Sequence, residues 1–399
     1  MHSDLNNFYA SVELLKHPEF KGKPLAVSGD AELRHGVILA KNELAKKSGV
    51  MTGEPIWTAK QKCPDLIVKK ADFPLYLEFS RLTRKIYEDY TDRMEPFGLD
   101  ECWLDISDIG YGRETADEIR ERVKRELGVT VSVGVSFNKT FSKLGSDLKK
   151  PDATTVITRQ NFQEIVWPLN VNELLYVGNS TKKKLNSYGI YTVGELAACE
   201  VRFLEYMLGK NGAMLWNFAN GLEDSPVSNI GAKSLIKSIG NSTTTPRDLV
   251  TDSDVRTTLY VLCESVSARL REQDFVCRTV QVHFRDTDLF SFERQVPLAY
   301  PNRTVSSLFE AAYAIYKKSY TSGKPLRSIG VRACNLIHME SEQLSIDDRI
   351  TKIQKKEQLD SAVDKIRERF GNSAVRRGVF LADPLLSGIN PKDENIMLT

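Results

Sequence analysis

The chain has 399 residues, 41% of them hydrophobic and 27% charged, which is the balance of an ordinary folded protein and excludes a disordered or fibrous chain. Its 55 lysines and arginines nearly cancel its 53 aspartates and glutamates, so the formal net charge of +2 neither requires nor excludes a polyanionic partner. Because the 6 cysteines include no CxxC pair, and no apolar run reaches the roughly 20 residues that cross a bilayer, we expect a multidomain intracellular protein with reduced cysteines.

The hydrophobic spacing of the first 150 residues predicts a mixed sheet with packed helices. A helix over 6–15 follows a short segment that carries Asp4, so this acid lies at the entrance of the helix. The elements predicted after it are a strand over 24–28, helices over 41–47 and up to residue 62 in a compact α-rich subdomain, a helix over 75–90, a hairpin over 95–107, a helix over 115–127, a strand over 129–135 with one buried valine face, and a helix capped by Asn138. This order is typical of an α+β fold.

The second half of the chain predicts further segments of different character. Two short amphipathic helices around Gly178, with a second glycine turn at Gly189, resemble a helix-hairpin-helix, whose backbone amides can hold a phosphate. The polar stretch 238–248 indicates a linker or domain entrance. An α/β unit follows, with a helix over 254–272, a strand over 278–284, a helix over 305–319 and a strand over 329–337. Near the C-terminus one amphipathic helix has an apolar face made of Leu359, Val363, Ile366 and Phe370.

Three carboxylates indicate metal chemistry: Asp4 before the first helix, and the neighbours Asp100 and Glu101 within an apolar strand. Burying such acids is costly unless a cation pairs with them. Neighbouring side chains of a regular strand point to opposite faces, so both acids reach one site only at a bend, which Gly98 permits. Convergent carboxylates without histidine or thiolate would bind Mg²⁺ or Mn²⁺ together with substrate phosphates. The plainer alternative is a helix cap at Asp4 and a solvated turn at the pair.

Basic residues in two regions could contact phosphates. Lys46, and beyond the valine strand Lys143, Lys149 and Lys150, could meet a triphosphate, although a solvated basic face is the alternative. Between residues 301 and 337, six lysines and arginines stand against one glutamate, which predicts a local basic surface.

Five stretches of the chain resemble the Y-family translesion DNA polymerases, in the same order and over almost the whole length. They are DLNNFYASVE (4–13), ILAKNELAKKSGV (38–50), GLDECWLDISD (98–108), VSVGVSFNKTFSKLGSDLKKP (131–151) and SIGVRACNLI (328–337). The chain is similar to the bacterial DNA polymerase IV branch, whereas AKNELAKK resembles the catalytic subunit of polymerase V, so the branch stays open. Only three residues precede Asp4 where the family usually has a longer apolar strand, which leaves a truncated start open.

The resemblance implies an α+β multidomain protein, a right-hand polymerase with a ferredoxin-like palm, small fingers, a helical thumb and a C-terminal α/β little finger. The implied domains are the palm (1–9 and 71–160), the fingers (10–70), the thumb with its helix-hairpin-helix (161–230), a linker (231–240), the little finger (241–340) and a C-terminal tail (341–399) with one helix.

The resemblance also implies roles at the catalytic site. Asp4, Asp100 and Glu101 would bind two Mg²⁺ ions, for which Mn²⁺ could substitute, and Leu5 would lend its backbone carbonyl to one of them. Tyr9 would be the steric gate that excludes a 2′-hydroxyl, while a core aromatic is the alternative for this residue.

Further residues would hold the incoming nucleotide. The amides of Asn7 and Phe8 would bind its phosphates, and Lys150 would contact the triphosphate. The fingers helix of polymerase IV-like enzymes usually offers a tyrosine and an arginine, where this chain has Glu43 and Lys46. The remaining candidates for this contact are Lys41, Asn42 and Lys46.

Contacts with DNA and with a clamp are implied outside the catalytic site. Gly178, Lys237, Arg327 and Arg332 would contact the DNA backbone. Gln343, Leu344 and Ile346 resemble a sliding-clamp-binding peptide, although acids follow where an aromatic is expected, and a solvated loop is the alternative.

The function implied is template-directed, low-fidelity translesion DNA synthesis, in which two metal ions support transfer of a dNTP to a primer 3′-hydroxyl without a proofreading exonuclease. The expected partners are primer-template DNA, dNTPs and the replication sliding clamp, with the chain monomeric in the cytoplasm and on the nucleoid. Two alternatives stay open: a DNA-binding or recruitment factor without catalysis, and another palm-domain enzyme such as a nucleotide cyclase.

Overall fold

The computed structural model describes residues 1–30, 34, 36–232, 235–338 and 348–388. The chain divides into two units, one formed by 1–29 with 37–233 and the other by 30–36 with 234–399. Both units combine helices and strands, as the predicted α+β multidomain class requires. All six cysteines are free, as predicted. Among the described residues, no helix is long and apolar enough to cross a membrane.

The N-terminal unit holds eight strands and eleven α-helices in its described residues. In chain order they are β1 (His2–Leu5), α1 (Phe8–Lys16), β2 (Leu25–Ser28), β3 (Ile38–Lys41), α2 (Glu43–Lys47), α3 (Ile56–Lys62), β4 (Ile67–Lys70), α4 (Phe73–Glu88), β5 (Met94–Phe97), β6 (Glu101–Leu104), α5 (Gly112–Leu127), β7 (Val131–Ser136), α6 (Lys139–Leu148), β8 (Thr154–Ile157), α7 (Phe162–Val166), α8 (Asn179–Asn186), α9 (Val193–Ala197), α10 (Val201–Leu208) and α11 (Lys210–Ala219). Two 3₁₀ segments, Pro18–Phe20 and Val171–Glu173, join them.

The main sheet of this unit has the strand order β5-β6-β1-β7-β8, with β1 antiparallel to both of its neighbours. Val131 and Val133 of β7 pack in the core with α5, as the valine pattern predicts. The opposite face is covered too, because a Cβ at Gly134 would lie 1.9 Å from the carbonyl oxygen of Ser142 in α6. The expectation of one open face is therefore wrong, and glycine is required where helix and strand touch.

A second, three-stranded sheet in the order β3-β2-β4 lies between α1 and α4 along the chain. It corrects the prediction of an α-rich subdomain for this region. Strands β3 and β4 have only four residues each, too few to show a clear alternation. In the later helical region, a single 3₁₀ turn precedes Gly178, so the paired helices α8 and α9 flank Gly189 and not Gly178.

The C-terminal unit is a four-stranded antiparallel sheet with helices. Its described elements are β9 (Ser238–Leu249), α12 (Asp252–Glu272), β10 (Phe275–Asp286), β11 (Ser291–Asn302), α13 (Val305–Ser319), β12 (Leu326–His338), α14 (Asp348–Phe370), the 3₁₀ segment Gly378–Leu381 and α15 (Pro384–Ser387). The strand order is β11-β10-β12-β9, and the apolar faces of β10 and β12 pack against α12 and α13.

Strand β9 replaces the linker that the polar stretch 238–248 indicates. Its alternate residues Asn241, Thr243 and Thr245 are buried although they are polar. Their hydrogen bonds satisfy this burial; Arg269, for example, donates to the side-chain oxygen of Asn241 at 3.1 Å. A strand with a polar buried face therefore carries no hydrophobic alternation for sequence reasoning to detect.

Helix α14 is present as predicted, but its predicted apolar face is turned toward solvent and not toward the rest of the unit. Leu359 and Phe370 are 62% and 65% exposed, so the predicted apolar face does not pack on the unit. The packed side carries carboxylates: Asp364 accepts from Arg271 at 2.6 Å, and the buried Asp360 accepts from the amide of Val305 at 2.9 Å. Arg271 of α12 and the amide of Val305 at the start of α13 thus help to set the orientation of α14 through hydrogen bonds to its carboxylates.

Candidate active site

Asp4 and Glu101 lie opposite each other on two neighbouring strands of the main sheet. They are Cα partners in the antiparallel pairing of β1 with β6, and the amide of Leu5 donates to the carbonyl of Asp100 at 2.9 Å. Gly98 has a positive φ of 81° and supplies the predicted bend just before the two neighbouring acids. Long-range pairing thus brings Asp4 beside an acidic pair almost 100 residues away in the chain.

Helix α4 holds the bend in place. The hydroxyl of Ser80 donates to the carbonyl of Leu99, and the guanidinium of Arg84 donates to the carbonyl of Gly98 at 2.8 Å. These bonds give partners to two carbonyl groups of the turn, which lie outside the hydrogen-bonded strands. The position of Asp100 therefore depends on α4 as well as on the sheet.

Two lysines contact the carboxylates. The ammonium nitrogen of Lys143 lies 2.8 Å from Glu101 Oε2 and 3.3 Å from Asp4 Oδ2, and that of Lys150 lies 2.6 Å from Asp4 Oδ2. Both lysines also contact Asp147, at 3.2 and 2.6 Å. Sequence reasoning named both lysines as candidates for a triphosphate but missed Asp147, whose only signal is its spacing of four and three residues from them.

Burial and crowding act differently on the three acids. Burial raises the pKa of Asp4, and the nearby charge of Glu101 adds to this effect. Burial, together with the charges of Asp4 and Glu101, raises the pKa of Asp100 to about 6. Burial also opposes ionisation of Glu101, but the contacts with His2 and Lys143 outweigh it and hold the pKa of this acid at about 2.

His2 is a buried neighbour of the site that sequence reasoning missed. Its Nε2 lies 3.3 Å from Glu101 Oε2, its Nδ1 lies 2.9 Å from the hydroxyl of Ser146, and its ring meets Trp103 edge-on. Burial lowers the pKa of His2 to about 4. The available signal was its position two residues before Asp4, which puts both side chains on one face of β1.

The donor set fits a hard divalent cation. Asp4, Asp100 and Glu101 offer oxygen ligands, and none of the ion pairs among the described residues involves Asp100. Within the same residues, no group of three or more histidine, cysteine, aspartate or glutamate side chains is gathered as a ready ligand cluster. The ammonium group of Lys143 instead contacts both Asp4 and Glu101, so a cation would have to replace it there.

Tyr9 lies in the first turn of α1, the helix that follows Asp4 in the chain. Its ring stacks on Tyr76 with centroids 4.3 Å apart and meets the edge of Phe73 at 6.0 Å. Burial, with the charge of Asp100, raises the pKa of Tyr9 to about 12. The ring is half-buried and packs against these two aromatic neighbours, which restrict its orientation.

The start of α1 and the short helix α2 hold residues that are predicted to contact the nucleotide. Asn7 has a left-handed φ of 49° and donates to Glu43 at 3.1 Å, so its side chain does not cap α1. Phe8 is part of the core. Asn42 caps α2 by accepting from the amide of Ala45, and it also accepts from Leu25 and donates to the carbonyl of Lys23. These hydrogen bonds fix the side chain of Asn42 at the start of α2, and its contact with the nucleotide stays a prediction, as do those of Lys41 and Lys46.

Lys41 and Lys46 remain near each other in this region. Burial lowers the pKa of Lys41, and the charge of Lys46 adds to this effect. Lys46 lies 3.8 Å from Glu43, which occupies the position where the resembling enzymes have a tyrosine. A triphosphate would relieve the repulsion between the two ammonium groups.

Half of the basic residues predicted between 301 and 337 are paired with carboxylates. Arg303 is paired with Asp274 and Glu357, while Lys317 and Lys324 are paired with other aspartates. Opposite charges therefore neutralise half of the predicted set.

The four residues predicted to contact DNA lie at different places in the fold. Arg332 is exposed between the buried Val331 and Ala333, so it points away from the helices of its unit. Arg327 lies at a β-bulge, and Lys237 directly precedes β9. In the other unit, Gly178 is the N-cap of α8. The clamp-binding residues Gln343, Leu344 and Ile346 lie outside the described residues.

Two family models match the chain. The impB/mucB/samB family matches residues 3–147, and the impB/mucB/samB family C-terminal domain matches residues 236–346. DNA polymerase IV of Acetivibrio thermocellus is 54% identical over 394 residues, which cover 98% of this chain and 99% of that protein. DNA polymerase IV 2 of Bacillus subtilis is 36% identical over 389 residues, covering 95% and 93%.

Solved structures share the fold. A Y-family DNA polymerase chimera, Dbh-Dpo4(243-245)-Dbh, has a TM-score of 0.73 at 24% identity, and the match covers 84% of this chain and 98% of that one. The crystal structure of DinB from Sulfolobus solfataricus has a TM-score of 0.55 at 25% identity with the same coverage.

Proposed function

The chain belongs to the impB/mucB/samB family, the Y-family DNA polymerases, and from this membership we propose that Asp4, Asp100 and Glu101 form its catalytic centre. It is a DNA-directed DNA polymerase that acts in translesion synthesis. The observation that supports the catalytic assignment is the pairing of Asp4 with Glu101 across β1 and β6, with Asp100 at the adjoining bend.

The family is metal-dependent, and we propose that two Mg²⁺ ions bind at these acids with the carbonyl of Leu5. Bound there, the ions would supply Lewis-acid stabilisation to the triphosphate and to the primer 3′-hydroxyl. The buried carboxylates hold the charge that such ions require. Burial and its two acidic neighbours raise the pKa of Asp100, so added positive charge nearby would favour its ionised form.

The remaining residues would orient the nucleotide. Tyr9, fixed against Tyr76, would lie beneath the sugar and exclude a 2′-hydroxyl. The backbone amides of Asn7 and Phe8, at the start of α1, and the ammonium group of Lys150 would hold phosphates. Lys41 at the end of β3, Asn42 and Lys46 of α2 would also contact the triphosphate.

Binding of the primer-template is proposed to use the phosphate backbone through Gly178, Lys237, Arg327 and Arg332. We also propose the domain bounds that the resemblance implies for palm, fingers, thumb, little finger and tail, with the linker ending where β9 begins at Ser238. Clamp binding through Gln343–Ile346, a monomeric state and action at the nucleoid in the cytoplasm complete the proposal.

Primer extension tests the catalytic assignment. The purified chain is given Mg²⁺, four dNTPs and either an undamaged or an abasic template, alongside Asp100→Asn. Extension should disappear in this variant while DNA binding remains. Asp89→Asn serves as the control, because it removes an exposed carboxylate paired with Arg122 at a distant position on the same unit. Extension that survives Asp100→Asn would overturn the assignment, and product formation without DNA would favour a cyclase.

A further inference from the structure

Ammonium groups already contact the oxygens that the proposed function assigns to divalent cations. Lys143 contacts Glu101 and Asp4, at 2.8 and 3.3 Å, and Lys150 contacts Asp4 at 2.6 Å. The side chain of Asp4 is only 6% exposed, so water cannot replace these partners. Two monovalent cations therefore neutralise the carboxylates in this conformation.

Asp147 contacts both of these lysines from the opposite side. Lys143 lies 3.2 Å from one of its carboxylate oxygens, and Lys150 lies 2.6 Å from the other. The side chain of Asp147 is 40% exposed, so water can hydrate it without any ion pair. Exposed ion pairs contribute little to stability, and the contacts of Asp147 with the lysines are not needed to neutralise a buried charge.

A divalent cation and an ammonium group cannot share one carboxylate oxygen without strong repulsion in a partly buried site. Cation binding at Asp4 and Glu101 must therefore move Lys143 and Lys150 off these oxygens. Each lysine already contacts a second acceptor in Asp147, so the displacement can be short. The lysines then stay close to the position where a triphosphate would arrive.

We propose that Lys143 and Lys150 fill the cation positions of the site before a divalent cation binds, and that Asp147 is the positioning residue that retains both ammonium groups after the exchange. This proposal rests on the proposed function, because it requires Asp4 and Glu101 to bind the divalent cation.

The exchange predicts opposite effects of two substitutions on cation affinity. Lys143→Met keeps most of the side-chain length but removes a competitor, so a divalent cation should bind more tightly. Asp147→Asn removes the alternative acceptor, so the lysines hold Asp4 and Glu101 more firmly and the cation should bind more weakly. A merely structural role of these residues would weaken binding in both variants.

The test measures Mn²⁺ binding to the full chain without DNA or nucleotide, from the electron paramagnetic resonance signal of free Mn²⁺. We expect Lys143→Met to lower the dissociation constant, and Asp147→Asn to raise it, by about three- to fivefold each. Asp147→Glu should restore the parent affinity. Asp89→Asn, which breaks a comparable exposed ion pair with Arg122, should leave it unchanged. Melting curves recorded without cation separate these effects from loss of the fold.

Asp4→Asn identifies the site in the same assay. Mn²⁺ binding that depends on Asp4 but moves in the same direction in both variants, or in neither, would overturn the exchange while leaving the catalytic assignment intact. Mn²⁺ binding that is insensitive to Asp4→Asn would overturn the metal assignment and the exchange together. Primer extension then decides separately whether the chain is a polymerase that binds its cations elsewhere.

Discussion

Tyr9 lies nearly parallel to Tyr76, with ring centroids 4.3 Å apart and planes inclined by 12°, and the hydroxyl of Tyr76 donates to Glu13 at 2.7 Å. Glu13 is 2% exposed, so this hydrogen bond satisfies a buried carboxylate. The ring proposed to select the sugar is therefore supported by a second ring that is itself anchored in the core.

Tyr9→Ala should admit ribonucleotides, because the substitution removes the ring that we place beneath the sugar. The ratio of kcat/KM for a ribonucleotide to that for the matching deoxynucleotide should rise about 100-fold, which corresponds to a steric penalty of about 3 kcal/mol. Single-nucleotide primer extension measures this ratio. Tyr111→Ala, at an exposed tyrosine of the same unit, is the control. Unchanged sugar discrimination in Tyr9→Ala would contradict the role of the gate.

Tyr76→Phe should reduce stability but retain sugar discrimination. The phenylalanine ring still stacks on Tyr9, whereas the buried Glu13 loses its donor, at a cost of about 1–3 kcal/mol. Urea unfolding measures the loss, and the nucleotide ratio described above measures discrimination. A variant with full stability and lost discrimination would show that the hydroxyl, and not the ring, supports Tyr9.

Asp254 makes the stability of the C-terminal unit depend on pH. Hydrogen bonds from Arg247 hold its pKa well below the ordinary value of 3.8, and the amides of Val250 and Thr251 contribute although burial opposes them. A depressed pKa stabilises the folded state above pH 3.8, and this contribution disappears as the pH falls further. Asp254→Asn should therefore cost about 1–3 kcal/mol at pH 7.

Melting temperatures of the full chain and of Asp254→Asn, recorded from pH 7 down to pH 3, check this sign. The difference between the two proteins should be constant at neutral pH and should shrink below about pH 4. A difference that grows on acidification would contradict the assignment of Asp254 as an ionised acceptor of these hydrogen bonds.

Arg332→Ala should weaken DNA binding by a similar factor for every sequence, because a contact with phosphate carries no information about the bases. The slope of log K against log salt should fall by about 1. Lys324→Ala is the matched control, since this lysine is already paired with Asp288 at 2.6 Å and should change the slope less. A loss of affinity that depends on sequence would place Arg332 against the bases instead.

Local features of the sequence predicted much of the fold and of the candidate site. The glycine bend before Asp100, the cap at Asn138 and the helix over Val305–Ser319 all follow from short-range backbone preferences. Membership of the family followed from motifs that each occupy a short stretch. Such features depend on residues that are close together in the chain, so a single sequence is enough to predict them.

The tertiary structure alone decided which distant groups meet. Nothing in the sequence shows that Lys143 contacts Glu101, that the side chain of Asn42 bonds to Leu25 and Lys23, or that α14 packs with its carboxylates inward. Strand β9 was hidden because its buried face is polar and is satisfied by partners from a helix. Strand register and ion pairing are set by contacts between segments far apart in the chain, where the free energy of burying a charge selects its partner.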